Sequence, residues 1–329
     1  MGLNGNRPWG TPVVDVVSWG LLATSTLLTV LPDGYPVVAL RAWLCALAGF
    51  SLLLTAWLLG TKRVRQAVVA WVATLMALGA PLHAGWNHRP VSSGMHHNGR
   101  GITVAQLNVH QDNGQFAAVV HAVRQADADL VILQEVDARW YGELESALAD
   151  QYPWHVHRVG EKNYGMALFS RLPVAGAEAI DLEGLPAIRA DIGVGHERVR
   201  LVAVHLRAPE SAAKLQQRNR QWRKLEALLS DRTIEQCLIG DLNTVPWDRA
   251  FGHFCQATGL KGAGGVLAPT WPAWGDFALL PLDHVLVSPG MLVTDQHTFP
   301  IPGSDHLGKW AGLCPASMPS ATGMGSGGR

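Results

Sequence analysis

The chain is 329 residues long, 48% hydrophobic, and carries 26 basic and 26 acidic side chains for a formal net charge of zero. That length exceeds one average domain, and four cysteines without zinc spacing exclude a disulfide-framed miniature fold and a cysteine-zinc module. From Arg100 onward the balance turns mildly acidic, 20 Lys plus Arg against 24 Asp plus Glu, which weighs against a protein that grips long duplex nucleic acid without excluding a nuclease.

Composition divides the chain near residue 90. Val13–Leu31 is nearly all apolar with one acid, Asp15, near its start, and Ala42–Leu59 is uncharged. Ala67–Leu82 is shorter and interrupted late by Pro81. At about 1.5 Å per residue, some 20 residues cross a hydrocarbon core of about 30 Å. The first two segments meet that length; the third needs Gln66 and His83–Trp86 at the interfaces. The expectation is about three transmembrane helices in residues 1–89. A signal peptide would explain only the first segment, and no small-residue cleavage site follows Leu31. Lys62, Arg63 and Arg65 crowd the second loop and Arg7 precedes the first helix, so those ends are expected in the cytoplasm. Three crossings then make this a multi-pass cell-membrane protein with everything after Trp86 extracytoplasmic. Arg41, near the outer end of the second segment, counts against this order unless it snorkels.

Residues 90–100 read as a polar linker, 101–314 as the catalytic domain, and the Gly/Ser-rich 315–329 as a disordered tail. Within the domain, "GITVAQLNVH" (Gly101–His110) has a strand's composition and ends on Asn108, and Gly114–Ala126 has helical spacing. "DLVILQEVD" (Asp129–Asp137) is apolar on both faces, as a strand between layers must be, and ends on Gln134 and Glu135. Tyr164–Arg171, Ala187–Ile192 and Val199–Leu206 read as strands, the last delivering His205. Ser211–Asp231 reads as a helix with Leu215, Trp222, Leu225, Leu228 and Leu229 on its apolar side.

In "LIGDLNTVPW" (Leu238–Trp247) a buried strand is expected to end at Gly240, so that Asp241 and Asn243 emerge on one side of an extended stretch. An Asx turn capping the next helix is the alternative for that stretch. A short helix runs through Phe254, "PTWPAWGDF" reads as irregular, Leu282–Ser288 is a strand, and Gly303–Leu313 closes the domain. Strands outnumber helices, so antiparallel sheets packed face to face with helices outside are expected. Cys237, Cys255 and Cys314 would permit one disulfide in an outer compartment, although Cys237 sits in a strand as a small hydrophobe would.

The polar residues gathered at strand ends are Asn108, Glu135, His205, Asp241, Asn243, Asp283, Asp305 and His306. Without a thiol among them, they suit hard cations such as Mg²⁺, Mn²⁺ or Ca²⁺ rather than zinc. An Asp–His couple that deprotonates water, with amides and a second His on the remaining oxygens, fits phosphate ester cleavage.

The fragments "QLNVH", "LQEV", "MALFSR", "VHL", "GDLNTVP", "LDHVLVS" and "GSDH", in this order, resemble the endonuclease/exonuclease/phosphatase superfamily, the deoxyribonuclease I-like fold, over about Gly101–Leu313. The resemblance implies an α/β fold, a four-layer α-β-β-α sandwich of two packed, mostly antiparallel sheets, with Mg²⁺ (or Mn²⁺) and in-line attack of water on phosphorus. It implies Glu135 as principal metal ligand, with Asn108 beside it and Asp305 as a further metal or orienting ligand. Asp241 would orient the water, Asn243 would donate to a phosphoryl oxygen, and His306, fixed by Asp283, would act as base or phosphate binder. His205 would contact the phosphate. The "SDH" motif continues here with Leu307, Gly308 and Lys309, where many relatives continue with proline and valine, which bears on where the last strand starts.

The superfamily spans many substrates. The membrane segments and the acidic domain favour a membrane-anchored phosphodiesterase or phosphatase acting on a lipid or small-molecule phosphoester, with an extracytoplasmic nuclease as the alternative. A catalytically inactive binding module would lack a metal carboxylate or the histidine, and none is missing. A transporter is disfavoured because the apolar segments lack paired charges. Trp271 and Trp274 read as packing residues, and His110, His121, His155, His157 and His253 as surface or interface residues.

Overall fold

The structure is a computed structural model that describes residues 11–87, 101–160, 162–194, 197–262 and 268–316. The linker at 90–100 and the tail beyond Ala316 lie outside the described residues. Four helices come first: α1 (Thr11–Val30), α2 (Val37–Arg41), α3 (Leu44–Gly60) and α4 (Val64–Asn87). Two of them, α1 and α4, are long and apolar enough to cross a membrane, and α3 is a shorter apolar helix of 17 residues. The expected ranking is therefore reversed. The third apolar segment is the longest helix, running through Pro81, and the second, expected at Ala42–Leu59, is α3 at Leu44–Gly60, preceded by the separate turn Val37–Arg41.

These helices touch each other largely through small side chains, with Leu44 and Leu58 also buried. Ser18, Ser25, Ala48, Ser51, Thr55, Ala70, Ala73, Thr74 and Ala77 are buried, whereas Val16, Trp19, Phe50, Leu53, Trp57 and Trp71 are exposed. Small residues let helix backbones approach closely, which is how helices pack where lipid removes the hydrophobic drive between them. Asp15, the one acid of α1, accepts a hydrogen bond of 2.7 Å from Gln66 Nε2 of α4. Arg41 is buried at the end of α2; it donates to Leu28 O at 2.9 Å, to Leu31 O at 3.0 Å and to the Asp33 carboxylate at 2.5 Å.

The rest of the described chain is a sandwich. One sheet has strand order β13-β14-β1-β2-β4-β3, with β1 (Ile102–Asn108), β2 (Leu130–Gln134), β3 (Trp154–Arg158), β4 (Met166–Ser170), β13 (Met291–Pro300) and β14 (Leu307–Pro315). The other has order β5-β6-β7-β8-β12-β9, with β5 (Val174–Leu182), β6 (Leu185–Val194), β7 (Glu197–His205), β8 (Glu235–Asp241), β9 (Lys261–Gly262) and β12 (Asp283–Val287). Among the described residues, β1–β2 and β7–β8 are the parallel pairs, and the other pairings are antiparallel. Val104, Ile132 and Leu168 of the first sheet meet Ile188, Leu201, Ile239 and Val285 of the second in one core. Helices α5 (Phe116–Ala126) and α6 (Ala138–Leu148) cover the first sheet through Val119, Val123, Trp140 and Leu144. The second is covered by α7 (Ala212–Leu228) and α8 (Arg249–Thr258) through Trp222, Leu225, Phe251 and Phe254. The expected four-layer arrangement is the observed one, and the fully buried β2 shows why "LVILQ" needs no alternation.

Several local expectations change. Strand β8 does not end at Gly240 but passes through it to Asp241. A Cβ at Gly240, φ +144°, would stand 1.9 Å from Val204 O, so only glycine lets β7 and β8 lie this close. The stretch "PTWPAWGDF", expected to be irregular, is a hairpin, β10 (Trp271–Trp274) with β11 (Phe277–Leu280), turning at Gly275. The last strand starts immediately after His306. All four cysteines are free, and burial pushes the Cys237 and Cys255 thiols up to about 12.

Candidate functional site

The polar residues converge because the strands that carry them end, or begin, at the same edge of the two sheets. Asn108 closes β1 opposite Gln134 of β2, and His205 closes β7 opposite Asp241 of β8. Asp283 opens β12, whose antiparallel run begins where β8 stops, so it too pairs with Asp241. His306 stands one residue before β14. A cleft of about 740 Å³ opens over them, lined by Glu135, His205, Asp241, Asn243, Asp305 and His306, while Asn108 and Asp283 lie buried beneath.

Glu135 is held in the left-handed region, φ 62°, a strain tolerated where the surroundings fix it. Its Oε1 accepts from Asn108 Nδ2 at 3.1 Å and Asn163 Nδ2 at 3.2 Å, and its Oε2 from the Gln111 amide at 3.1 Å. Asn108 Nδ2 also reaches Asp241 Oδ2 at 3.3 Å, linking the two sheets' acids. The expected extended stretch from Asp241 to Asn243 is instead a turn. Asn243 has φ 45°, its amide N–H donates to Asp241 Oδ1 at 2.8 Å, and its Nδ2 donates to Leu206 O at 2.9 Å. The Asx turn and the cleft residue are one feature.

Asp283 and His306 form a buried pair, Nδ1 to Oδ2 at 2.8 Å. The other Asp283 oxygen accepts from Gln106 Nε2 at 2.6 Å, and Gln106 donates also to Gln134 Oε1 at 2.9 Å. Burial works against the His306 imidazolium, but the charge and hydrogen bond of Asp283 outweigh it and hold its pKa well above the usual histidine value. Burial likewise opposes the Asp283 carboxylate, yet the charge and hydrogen bond of His306 hold it below the usual range. Asp241 behaves oppositely: burial, then the Asp283 charge, pushes it up to about 8. Its Oδ2 lies 3.5 Å from His205 Nε2 and 3.8 Å from His306 Nε2. Burial, then the His306 charge, pushes His205 down to about 3, so it is neutral.

Asp305 stands at the half-exposed rim, where Oδ2 accepts from Trp271 Nε1 at 2.8 Å and Oδ1 lies 3.9 Å from His110 Nδ1. Trp271 is thus more than packing, and His110 belongs to the cleft's margin. Trp274 and Phe277, stacked at the hairpin tip, are exposed.

A buried, mutually repelling set of carboxylates fits a cation. By distance, Asp241, Asp283 and His306 could share one, their ligand atoms lying within 4.8 Å. Both Asp283 oxygens are committed to Gln106 and His306, and the oxygens of Glu135, Asn108 and Asp241 likewise accept hydrogen bonds, from Asn163, the His110 amide and the Asn243 amide among others. Hard oxygen donors of this kind suit Mg²⁺ or Mn²⁺.

Sequence reasoning missed Gln106, Asn163, Trp271 and Lys309. Gln106 carried a signal: it is two residues before Asn108 in an apolar run, hence on the same strand face. Lys309 is buried, donates to Asp283 O at 3.0 Å, and is pushed by burial down to about 8; only the fold reveals that it lies beneath the site.

The sequence model of the Endonuclease/Exonuclease/phosphatase family matches residues 105–306. No curated protein matches the chain in sequence. Among solved structures, an endonuclease/exonuclease/phosphatase from Beutenbergia cavernae is similar at TM-score 0.56 and 21% identity, over 68% of this chain and 73% of that one. The human Nocturnin catalytic domain, with bound sulfate, gives 0.55 and 20% over 66% and 94%. Sphingomyelinase C from Streptomyces griseocarneus gives 0.53 and 19% over 64% and 99%. At these identities the structural likeness speaks for the fold.

Proposed function

The chain belongs to the endonuclease/exonuclease/phosphatase family, and from that premise we propose that it is a membrane-anchored phosphodiesterase or phosphatase, dependent on Mg²⁺ or Mn²⁺, whose catalytic domain faces the outside of the cell. The observation that carries the reading is the buried Asp283–His306 pair, with His306 Nε2 3.8 Å from Asp241, in a cleft that Glu135 also lines and under which Asn108 bonds to both Glu135 and Asp241. Glu135, Asn108 and Asp305 would hold the cation, which when bound offsets negative charge on the phosphoryl oxygens.

The protein groups then divide the work. Asp241, in the carboxylate form that a bound cation would favour, orients a water and takes its proton as the water oxygen bonds to phosphorus and the ester P–O bond opposite breaks, the leaving oxygen taking a proton from solvent. His306, kept cationic by Asp283, donates from Nε2 to a phosphoryl oxygen. Asn243 donates the amide hydrogen that Leu206 does not take, and neutral His205 contacts the phosphate from the far side of Asp241.

Anchoring is supported by the outward-facing apolar side chains of α1, α3 and α4 and by the small residues between them. Three crossings are proposed, α3 spanning about 26 Å at 1.5 Å per residue, near the short limit for a bilayer. Lys62, Arg63 and Arg65 then lie inside, and the ends of α1 and α4 that touch the sandwich lie outside. Arg41, the residue set against this orientation, is explained by its buried bonds to Asp33 and the end of α1. A nuclease is the weaker reading for a domain with more acids than bases. Full-length protein should hydrolyse bis(p-nitrophenyl) phosphate with Mn²⁺ and stop when chelator is added; a rate indifferent to chelator overturns the mechanism. An alkaline phosphatase reporter fused after Trp86 should be active, and an inactive one overturns the orientation.

A further inference from the structure

The catalytic cleft is not walled by the sandwich alone. At one end it is lined by Glu135, Asp241 and His306; at the other by Val38, Ala39, Ala42 and Trp43, which belong to α2 and the approach to α3. Val245, Leu280 and Leu282 of the sandwich face these residues across the same space. Lys162, Arg207 and Lys214 line the polar end. The cavity therefore runs from a polar floor, where carboxylates and histidines stand beside lysine and arginine, to an apolar wall built from α2 and the start of α3.

That wall is fastened in place. Trp247 Nε1 donates to Arg41 O at 3.0 Å, and Arg249 donates to Thr29 O at 2.7 Å and Leu31 O at 3.1 Å. Trp43 meets Trp271 edge to face with ring centroids 6.4 Å apart, and Trp271 in turn holds Asp305 at the cleft rim. Leu28, Leu44, Ala77 and Ala84 of the helices share one buried cluster with Val245, Trp247 and Leu280. Beyond the wall the apolar surface continues outward along the helices, with Leu40 and Trp43 exposed.

Resting on the hydrolase reading above, we propose that α2 and the start of α3 form an apolar subsite of the active site, and that the substrate is an amphiphilic phosphoester drawn from the membrane. Its phosphate occupies the polar floor and the first methylenes of its hydrocarbon chain lie against Val38, Ala42 and Trp43. Polarity is complementary at both ends: a phosphate meets histidine, lysine and arginine beside the carboxylates proposed above to hold the cation, and a chain meets the apolar side chains of Val38, Ala42 and Trp43. A soluble ester with no chain leaves the wall unused. Burying two methylenes is worth about tenfold in affinity.

The test uses full-length protein in detergent micelles with Mn²⁺ and two diesters that share a leaving group, methyl and octyl p-nitrophenyl phosphate. The octyl ester should be preferred in kcat/KM by at least about tenfold. That ratio should fall at least about fivefold in Ala42→Trp, which fills the groove, and in Ala39→Trp, a partly exposed position tolerant of substitution. A ratio unmoved in both variants, or both esters losing rate in the same proportion, overturns the subsite and leaves the hydrolase reading standing. Release of p-nitrophenolate from neither ester by the unaltered protein overturns both.

Discussion

Helices α4 and α7 are both long, and they are built inside out with respect to each other. In α7, Leu215, Trp222 and Leu225 are buried, while Arg220 and Lys224 reach outward to Glu183. In α4, Ala70, Ala73, Thr74 and Ala77 are buried, while Val68, Trp71 and Leu75 are about half exposed. A helix whose contact face is small and whose free face is large and apolar has no reason to form that contact in water, because the larger apolar area stays wet. The difference is the one that two solvents would produce, water around the sandwich and, on the reading proposed above, lipid around the helices.

The largest effect that tests this division is in the sandwich. His306→Ala or Asp283→Asn should lower kcat/KM by about 10²–10⁴, the usual worth of a positioned proton-transfer or phosphate-binding group. Circular dichroism should show the helices retained, and a variant with undiminished turnover would move the chemistry elsewhere. Next comes a direct comparison of the two outer surfaces. Leu53, 72% exposed on α3, and Val159, 80% exposed on the sandwich, look alike by exposure alone. Leu53→Arg should cost about 2.5–3.5 kcal/mol in membrane insertion, whereas Val159→Arg should stay within about 0.5 kcal/mol in stability. If Leu53→Arg instead yields a detergent-free soluble protein of normal stability, the two-solvent contrast is broken.

How much of this the sequence disclosed follows the same division. The sandwich was legible because strands buried on both faces, such as β2, must be apolar throughout and then stop at a polar residue. Glu135, Asp241 and His205 announced themselves by that break. Gln106 and Lys309 did not, because each sits inside a strand and gains its meaning from Asp283, 177 and 26 residues away. The hairpin at Trp271–Leu280 was hidden by Pro272 and Gly275, which read as loop signals although β10 pairs only with β11 and tolerates a proline. In the apolar region, periodicity is silent on boundaries, so α2 has no counterpart among the expected segments and α4 extends beyond Ala67–Leu82 at both ends. That the helices would wall the cleft was beyond sequence reasoning, since it depends on where two regions meet.

A smaller, graded effect sharpens the electrostatic side. Asp241 is raised by burial and the Asp283 charge from 3.8 to about 8, so the metal-free folded chain holds a proton that the unfolded chain has lost. Its contribution is fully present below about pH 4 and is lost as pH rises toward 8, with a slope of at most about 1.4 kcal/mol per pH unit. His306 is raised too, which extends the fall above pH 7. Thermal midpoints in chelator should therefore drop with rising pH, and Mn²⁺ should flatten the curve by supplying the missing positive charge. A pH profile untouched by Mn²⁺ would separate these acids from any cation site.

The smallest effect probes the seam between the two regions. Trp247 and Trp222 are both buried, at 5% and 3% exposure, and replacing either by Phe removes a similar volume. They differ in one bond: Trp247 Nε1 donates to Arg41 O of α2, whereas Trp222 Nε1 has no hydrogen-bond partner among the described residues. Trp247→Phe should therefore cost about 1 kcal/mol more than Trp222→Phe, the ordinary net value of a hydrogen bond whose acceptor is left buried. The excess should appear in the thermal midpoint of the full chain. It should vanish in a background where Arg41 and Asp33 are both replaced, because the α2 end is then no longer held for Trp247 to meet. If the two tryptophan variants are equally stable in the unaltered background, the helices and the sandwich are tethered rather than docked, and the cleft loses its apolar wall.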